Sequence, residues 1–225
     1  MIGRRRATSA LTDAECAVAW QAASLLLGYP DEELLGRRPL LRRAVAGLPP
    51  AVAAPLTRFL DHLDATPPPD LAADYVATFD HRKRCCLYLT YYAYGDTRKR
   101  GMALLRFKHA YTAAGLILDD GELPDHLAVV LEFAATGDAD AGRRLLSEHR
   151  AGLELLRLAL TDAGSPWSAV LDAVSATLPP LTGRHHEAVA RLAAEGPPEE
   201  EVGLAPFGGD PSLSGLRPDT SGARR

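Results

Sequence analysis

Apolar residues recur at three- and four-residue spacing along most of the chain, and no alternating β-branched run interrupts them, which predicts helices throughout. Val18, Ala22, Leu25 and Leu26 mark the first helix. It opens on a capping box, Thr12-x-x-Glu15, with Leu11 available as a hydrophobic staple, and stops at Gly28-Tyr29-Pro30. Asp31-Glu32-Glu33 places negative charge where the next helix dipole favours it, and that helix runs irregularly to Gly47 with a kink at Pro39. Val52, Leu56, Phe59, Leu60 and Leu63 mark a third, closed by Pro67-Pro68-Pro69. Asp70 is suited to cap a fourth, whose inner stripe is Leu71, Tyr75 and Phe79.

The stretch from Cys85 to Tyr94 is helical in pattern and breaks at Gly95-Asp96-Thr97. Asp96 or Thr97 then caps a helix carrying Met102, Leu105, Phe107 and Tyr111 to Gly115. Residues 116–123 read as a loop, and Pro124 and Asp125 suit the first turn of the helix whose stripe is Leu127, Val130, Leu131 and Ala134. Asp138 caps a long helix ending at Gly164, Ser165-Pro166 starts another that reaches Pro179-Pro180, and a short one covers residues 183–194. The expected architecture is all-α: one single-domain bundle of nine or ten helices over residues 11–195. A flexible arm over residues 1–10 precedes it, and a Pro/Gly/acidic tail over residues 196–225, expected to be disordered, follows.

Composition narrows the function classes. At 225 residues and 47% hydrophobic, the chain can bury a sizeable core. Charge or proline interrupts every apolar run before the eighteen or so residues a membrane span requires. The opening MIGRRRATSALTDAE lacks an apolar h-region and does not read as a secretory signal, so a cytoplasmic location is expected. Three cysteines, two of them adjacent, agree with a reducing compartment and build no disulfide framework. The net charge of −4 argues against broad affinity for nucleic acid or anionic membrane, although local basic patches remain, and it suits a cationic partner.

Catalytic constellations fail on spacing. Side chains of adjacent residues diverge by about 100° on a helix, so neither Cys85-Cys86 nor His185-His186 matches metal-ligand pairs at i, i+3 or i, i+4. Buried or half-exposed thiols are the plainer reading of the cysteines. There is no HExxH, no GxxxxGK[ST] and no GxSxG, and no strand precedes the Gly95 and Gly101 pair. Asp119-Asp120 could bind a cation but reads better as a solvated loop. A DNA-binding regulator using Arg4-Arg5-Arg6 or Arg82-Lys83-Arg84 is an alternative, weakened because the first helix leads into three acids where a recognition helix should lie. A metal-dependent hydrolase using His185, His186 or the cysteines is a second.

Chemistry concentrates in residues 74–108, which hold five of the seven tyrosines and two of the three cysteines, and in the Glu122-Leu-Pro-Asp-His126 motif downstream. The run Tyr75-Val-Ala-Thr-Phe79-Asp80, the basic loop, Leu87-Tyr-Leu-Thr-Tyr-Tyr, Gly95-Asp-Thr-Arg98-Lys-Arg100-Gly101-Met102, that motif and Val129-Val-Leu-Glu132-Phe together resemble a known family. It is the nitrate reductase molybdenum cofactor assembly chaperones, within the wider TorD/DmsD family of redox-enzyme maturation chaperones. Leu26-Leu-Gly-Tyr-Pro-Asp-Glu-Glu33 and Glu199-Glu-Glu-Val-Gly-Leu-Ala-Pro-Phe207 extend the resemblance over most of the chain.

The resemblance implies an all-helical, non-catalytic cytoplasmic chaperone. Its partner would be the apo nitrate reductase alpha subunit, bound through an N-terminal leader, with a second site left open. The chaperone would hold that subunit competent for insertion of bis-molybdopterin guanine dinucleotide, bind no cofactor stably itself, and delay membrane attachment. No nucleic acid, no direct membrane insertion and no metal are implied; a homodimer is compatible.

A leader of this kind is expected to be short, amphipathic and cationic, so its receptor should offer an apolar groove edged by carboxylates. Tyr75, Phe79, Tyr88, Tyr91 and Tyr92 are the candidate aromatic walls. Asp80, Glu122, Asp125 and Glu132 are the candidate partners for peptide Arg or Lys, with Pro124 and His126 completing the peptide-binding set. Gly95, Asp96, Arg98, Arg100 and Gly101 form a candidate structural hinge, whose charged members could pair internally. The plainer reading stands beside each: an aromatic stripe at helical spacing is usually core, Asp125 could cap a helix, and Glu122 could reach back to it.

Overall fold

Thr12 and Glu15 cap one another's backbone at the start of helix α1 (Asp13–Leu26): the Thr12 hydroxyl accepts from the Glu15 N–H at 3.2 Å, and the Glu15 carboxylate accepts from the Thr12 N–H at 2.7 Å. The capping box read from the sequence is therefore formed. The structure is a computed structural model that describes residues 11–195 apart from Asp120; the N-terminal arm and the C-terminal tail lie outside the described residues.

Twelve α-helices and one 3₁₀ turn follow in order among the described residues, and no strand is present, so the chain is all-α. After α1 come α2 (Glu32–Gly36), α3 (Arg38–Ala46), α4 (Pro50–Ala65) and α5 (Pro68–Phe79). The 3₁₀ turn Lys83–Cys85 leads to a single turn α6 (Tyr91–Tyr94) and the long α7 (Arg98–Ala113). The remainder is α8 (Leu127–Thr136), α9 (Ala139–Glu148), α10 (Arg150–Asp162), α11 (Ser168–Thr177) and α12 (Gly183–Glu195).

The expected nine or ten helices become twelve because two long ones divide. Pro39, in the first turn of α3, has no N–H to give and its ring opposes the carbonyl four residues back, so residues 31–47 split at Arg37 rather than kink. Residues 138–164 split at His149, which closes α9 and opens α10 with φ −100° and ψ 19°. Asp138 does cap α9, accepting from the Ala141 N–H at 2.8 Å. Asp70 does not cap α5; that helix already begins at Pro68, and Asp70 sits in its first turn.

The core lies where α1 crosses α8 and α11, with α4 packed on α11 and α9 on α8. Two buried tryptophans anchor it, each with its indole N–H satisfied. Trp20 donates to the Thr177 hydroxyl at 2.8 Å and Trp167 to the Leu26 carbonyl at 3.2 Å. Burying so many Leu, Val and Ala side chains along these seams supplies most of the stability, at about 25 cal/mol per Å² of apolar surface removed from water.

A motif clasp and its groove

The segment after the 3₁₀ turn is not helical, against expectation. Burial alternates along it, with Cys85, Leu87 and Leu89 inside and Cys86 and Tyr88 half-buried, which is the two-residue period of an extended chain. This extended stretch pairs antiparallel with the Glu122–His126 motif: Leu89 N–H donates to the Asp125 carbonyl at 3.0 Å and Leu127 N–H to the Leu87 carbonyl at 2.8 Å. Two motifs more than thirty residues apart thus clasp each other through their backbones.

Asp125 locks the clasp. Its side chain is at 0% exposure, and its Oδ2 accepts the Thr90 hydroxyl at 2.5 Å and the Thr90 N–H at 3.1 Å. Arg100 reaches in from α7: its Nε donates to the Thr90 hydroxyl oxygen at 3.1 Å, Nη2 stands 3.6 Å from Asp125 Oδ2, and Nη1 pairs with Asp96 at 3.1 Å. Its guanidinium lies 5.3 Å from the centre of the Tyr88 ring. Helix α8 begins only at Leu127, so Pro124 and Asp125 form a turn before it, and Asp125 holds a neighbouring segment instead of capping. Thr97 occupies the N-cap of α7 but spends its hydroxyl on the Tyr94 carbonyl at 2.8 Å, and neither it nor Asp96 caps the helix.

Tyr88, Glu122 and His126 form the outer layer. The Tyr88 hydroxyl donates to Glu122 Oε1 at 2.9 Å, and its ring meets the His126 ring edge-on at 5.3 Å. Burial and the adjacent Glu122 carboxylate push the Tyr88 phenol up to about 12. Burial holds His126 below its usual range, against the opposing pull of Glu122 and Asp125. Beneath them the Tyr111 hydroxyl donates to the Pro124 carbonyl at 2.5 Å, which ties α7 to the motif turn.

The other predicted residues lie in two further places. Tyr75 and Phe79 turn into the core against Trp167, at ring separations of 5.6 and 5.4 Å, and the Tyr75 hydroxyl donates to the Leu27 carbonyl at 3.0 Å. Burial, assisted by Asp80 and Glu122, raises the Tyr75 phenol to about 12. Tyr92 is 5% exposed and donates to the Arg84 and Cys86 carbonyls at 3.0 and 2.9 Å, which holds the basic loop. Tyr91 is half-buried with its ring 6.1 Å from that of Tyr92. Asp80 and Glu132 are exposed carboxylates on α5's end and on α8. Gly95 adopts φ 56°, ψ −153°, a conformation open to glycine, and its N–H closes α6 on the Tyr91 carbonyl at 2.7 Å. Arg98 and Gly101 are exposed on the first turns of α7.

A groove of about 370 Å³ opens beside the clasp. Gly101, Leu104, Leu105 and Lys108 of α7 form one wall, and Leu118, Asp119 and the Gly121–Pro124 turn form the other. The acids on its rim are already engaged: Asp119 accepts from the Gly121 N–H at 3.1 Å, and Glu122 also accepts from the Leu123 N–H at 2.8 Å. Thr90, Tyr111 and the groove leucines were not singled out from the sequence. The alternation around Leu87 and Leu89, and the apolar triplet Leu116-Ile117-Leu118 inside a loop, were the signals available.

Elsewhere the candidate ligands do not converge. His185 and His186 are both occupied with Thr182, and among the described residues no three His, Cys, Asp or Glu side chains are placed to hold a metal ion. Arg82, Lys83 and Arg84 are exposed, while Arg4, Arg5 and Arg6 lie outside the described residues, as does Asp120 of the Asp119-Asp120 pair. Among the described residues no helix is long and apolar enough to cross a membrane.

The family described as nitrate reductase delta subunit matches residues 46–172. The Mycobacterium tuberculosis nitrate reductase-like protein NarX is 46% identical over 160 residues, which is 71% of this chain but 24% of that protein, so the chain spans about a quarter of that relative. A Bacillus subtilis protein named nitrate reductase molybdenum cofactor assembly chaperone NarJ is 31% identical over 72% of this chain and 88% of its own length. The Escherichia coli protein of that name is 36% identical over 50% of this chain and 49% of its own. A solved Archaeoglobus fulgidus structure, described as a redox enzyme maturation protein, shares the fold: TM-score 0.55, 22% identity, 76% of this chain and 96% of that one.

Proposed function

The chain belongs to the nitrate reductase delta subunit family, and from that premise we propose that it is a non-catalytic, system-specific maturation chaperone of the cytoplasm. It binds the N-terminal leader of the apo nitrate reductase alpha subunit, keeps that subunit competent for insertion of bis-molybdopterin guanine dinucleotide and for membrane assembly, and holds no cofactor stably itself. The observation that carries the reading is the groove beside the clasp, because Glu122, Leu123 and Pro124 of the motif turn and Gly101 of α7 line it, and an apolar floor with a charged rim suits an amphipathic peptide.

The residues divide by role. Leu104, Leu105, Leu118 and Leu123 take the apolar side of the leader, while Glu122, with Tyr88 and His126 behind it, meets its cations; the exposed Glu132 and Asp80 extend the acidic reach. Asp125 and Pro124 hold the motif turn from within, Tyr92 holds the basic loop with Tyr91 packed beside it, and Tyr75 and Phe79 serve the core against Trp167. The hinge residues Gly95, Asp96, Arg98, Arg100 and Gly101 set how α7 meets the clasp, with Arg100 as the tie.

Calorimetric titration with a synthetic peptide carrying the alpha-subunit N-terminus tests this. Glu122→Gln keeps the acceptor for Tyr88 but removes charge, and Leu118→Ser removes apolar floor. Each should weaken binding about tenfold, the loss of one charge-assisted contact or one apolar anchor. Absence of any heat or chemical-shift change with the unmodified chain would remove the proposal.

A further inference from the structure

Two carboxylates stand on the groove rim without a cation. Glu122 is held by the neutral Tyr88 hydroxyl and the Leu123 N–H, and Asp119 by the Gly121 N–H, so each keeps lone pairs to spare. Among the described residues neither forms a salt bridge, although Lys108 lines the same groove. The floor between them, Leu104, Leu105, Leu118 and Leu123, is apolar, and Leu105 and Leu123 are exposed. A segment that fits carries a cationic cluster beside one or two apolar side chains.

The chain carries such a segment itself. Residues 1–10, Met1-Ile-Gly-Arg4-Arg-Arg6-Ala-Thr-Ser-Ala10, join an apolar pair to consecutive arginines and contain no acid. They lie outside the described residues, but the start of α1, where they attach, has a fixed place. Ser24 donates to the Ala128 carbonyl at 2.8 Å, so α1 runs antiparallel to α8 and begins beside the C-terminal end of α8, where Asp13 pairs with Arg143 of α9 at 2.9 Å. At that same end of α8, Leu116 would stand 2.8 Å from a Cβ on Gly137, and the Tyr111 ring meets Phe133 at 4.6 Å. Lys108 of the groove lies one turn before Tyr111. From the start of α1 to the groove is thus two helix spacings of about 10 Å each, and ten extended residues reach about 33 Å.

We propose that residues 1–6 occupy this groove as a tethered competitor of the leader, a proposal that rests on the reading of the groove as the leader site. Met1 and Ile2 lie on the apolar floor, and Arg4, Arg5 and Arg6 meet Glu122 and Asp119. Charge complementarity selects this occupant: the arm carries only cations, whereas the tail carries Glu199, Glu200 and Glu201, which the same rim repels. Tethering gives the arm an effective concentration in the millimolar range, so a contact far weaker than the leader's own fills an empty groove. The leader displaces the arm, and its apparent affinity falls by the fraction of time the groove is taken. Weakly fitting peptides are thereby excluded.

Amine cross-linking of the full chain tests occupancy without any leader. Lys83, Lys99 and Lys108 are the lysines of the chain; Lys108 lines the groove, and Lys99 stands on the opposite side of α7. Arg5→Lys keeps the charge of the arm and gives it an amine, which a short amine-to-amine reagent should join to Lys108 about fivefold more often than to either other lysine. Calorimetry with the leader peptide then reads competition. The triple variant Arg4→Gln, Arg5→Gln, Arg6→Gln should raise leader affinity about tenfold, and Ile2→Ser, which changes no charge, about threefold. Cross-links spread evenly over the lysines, or unchanged leader affinity in both variants, would overturn the proposal and leave leader binding standing. No heat from the leader with any of these chains would remove the leader reading, and the competition with it.

Discussion

Asp125 and Thr90 are joined twice through one oxygen: the Thr90 hydroxyl and the Thr90 N–H both donate to Asp125 Oδ2, at 2.5 and 3.1 Å, in a site closed to solvent. That pair fixes the extended segment against the motif turn and gives Arg100 a buried counter-charge. Truncation and neutralisation should therefore differ. Asp125→Ala strands two donors and a guanidinium, and should cost about 3 kcal/mol, because removing one partner leaves the others buried and unpaired. Asp125→Asn can keep an oxygen facing Thr90 and should cost about 1 kcal/mol. Urea unfolding gives both values; equal losses would show that the hydrogen bonds contribute little.

Much of the fold was readable because helix signals are local. Thr12-x-x-Glu15, Asp138, and the glycines 28, 115 and 164 ended or began helices through contacts made within a turn. The clasp was not, because its partners are some thirty-five residues apart and its alternation spans only five residues, too few to outweigh helical surroundings. Aromatic residues were also ambiguous: Tyr75 and Phe79 share a helical stripe suited equally to a groove or a core, and only the position of Trp167, distant in sequence, turned them inward. Met102 and Leu105, read from the sequence together with Phe107 and Tyr111, lie on the exposed side of α7, because only Phe107 and Tyr111 of the four share the arc that meets the core.

Helices α8 and α9 meet over a glycine. A Cβ at Gly142 would stand 2.4 Å from Ala134 Cβ and 2.5 Å from its Cα, so no rotamer can relieve the clash. Gly142→Ala should lower stability by about 2 kcal/mol or more, with the helices forced apart. Gly36→Ala meets nothing within 4 Å and should be neutral or stabilising by up to about 1 kcal/mol. Thermal melts of the pair separate a packing cost from a general glycine effect.

All three cysteines are free, and burial pushes each thiol up from its ordinary value. Thiolate is the reactive species, so at neutral pH the folded chain should react slowly with a thiol reagent such as dithionitrobenzoate. Cys86 is half-buried and should be first, Cys16 and Cys85 following only as the chain opens. A fast phase counting all three thiols in the native protein would contradict this burial.

Mild acid should weaken the fold through two histidines. His126, enclosed by Tyr88 and the motif turn, and His149, whose ring lies 5.1 Å from Phe107, are both held below the ordinary value of 6.5 by burial. The carboxylates Glu122 and Asp125 face His126, and Glu148 and Asp125 oppose Arg106 around His149, yet desolvation outweighs them. Between each folded value and 6.5 the unfolded chain binds the extra proton, so stability rises with pH there. It is fully present above 6.5 and declines as pH falls, by at most about 1.4 kcal/mol per pH unit for each histidine. Glu154 adds a separate loss only below its ordinary 4.5, because Arg157 lowers it. Urea midpoints between pH 7.5 and 5 should fall for the unmodified chain and fall less for His126→Gln and His149→Gln; identical slopes in all three would show that neither buried imidazole governs the acid limb.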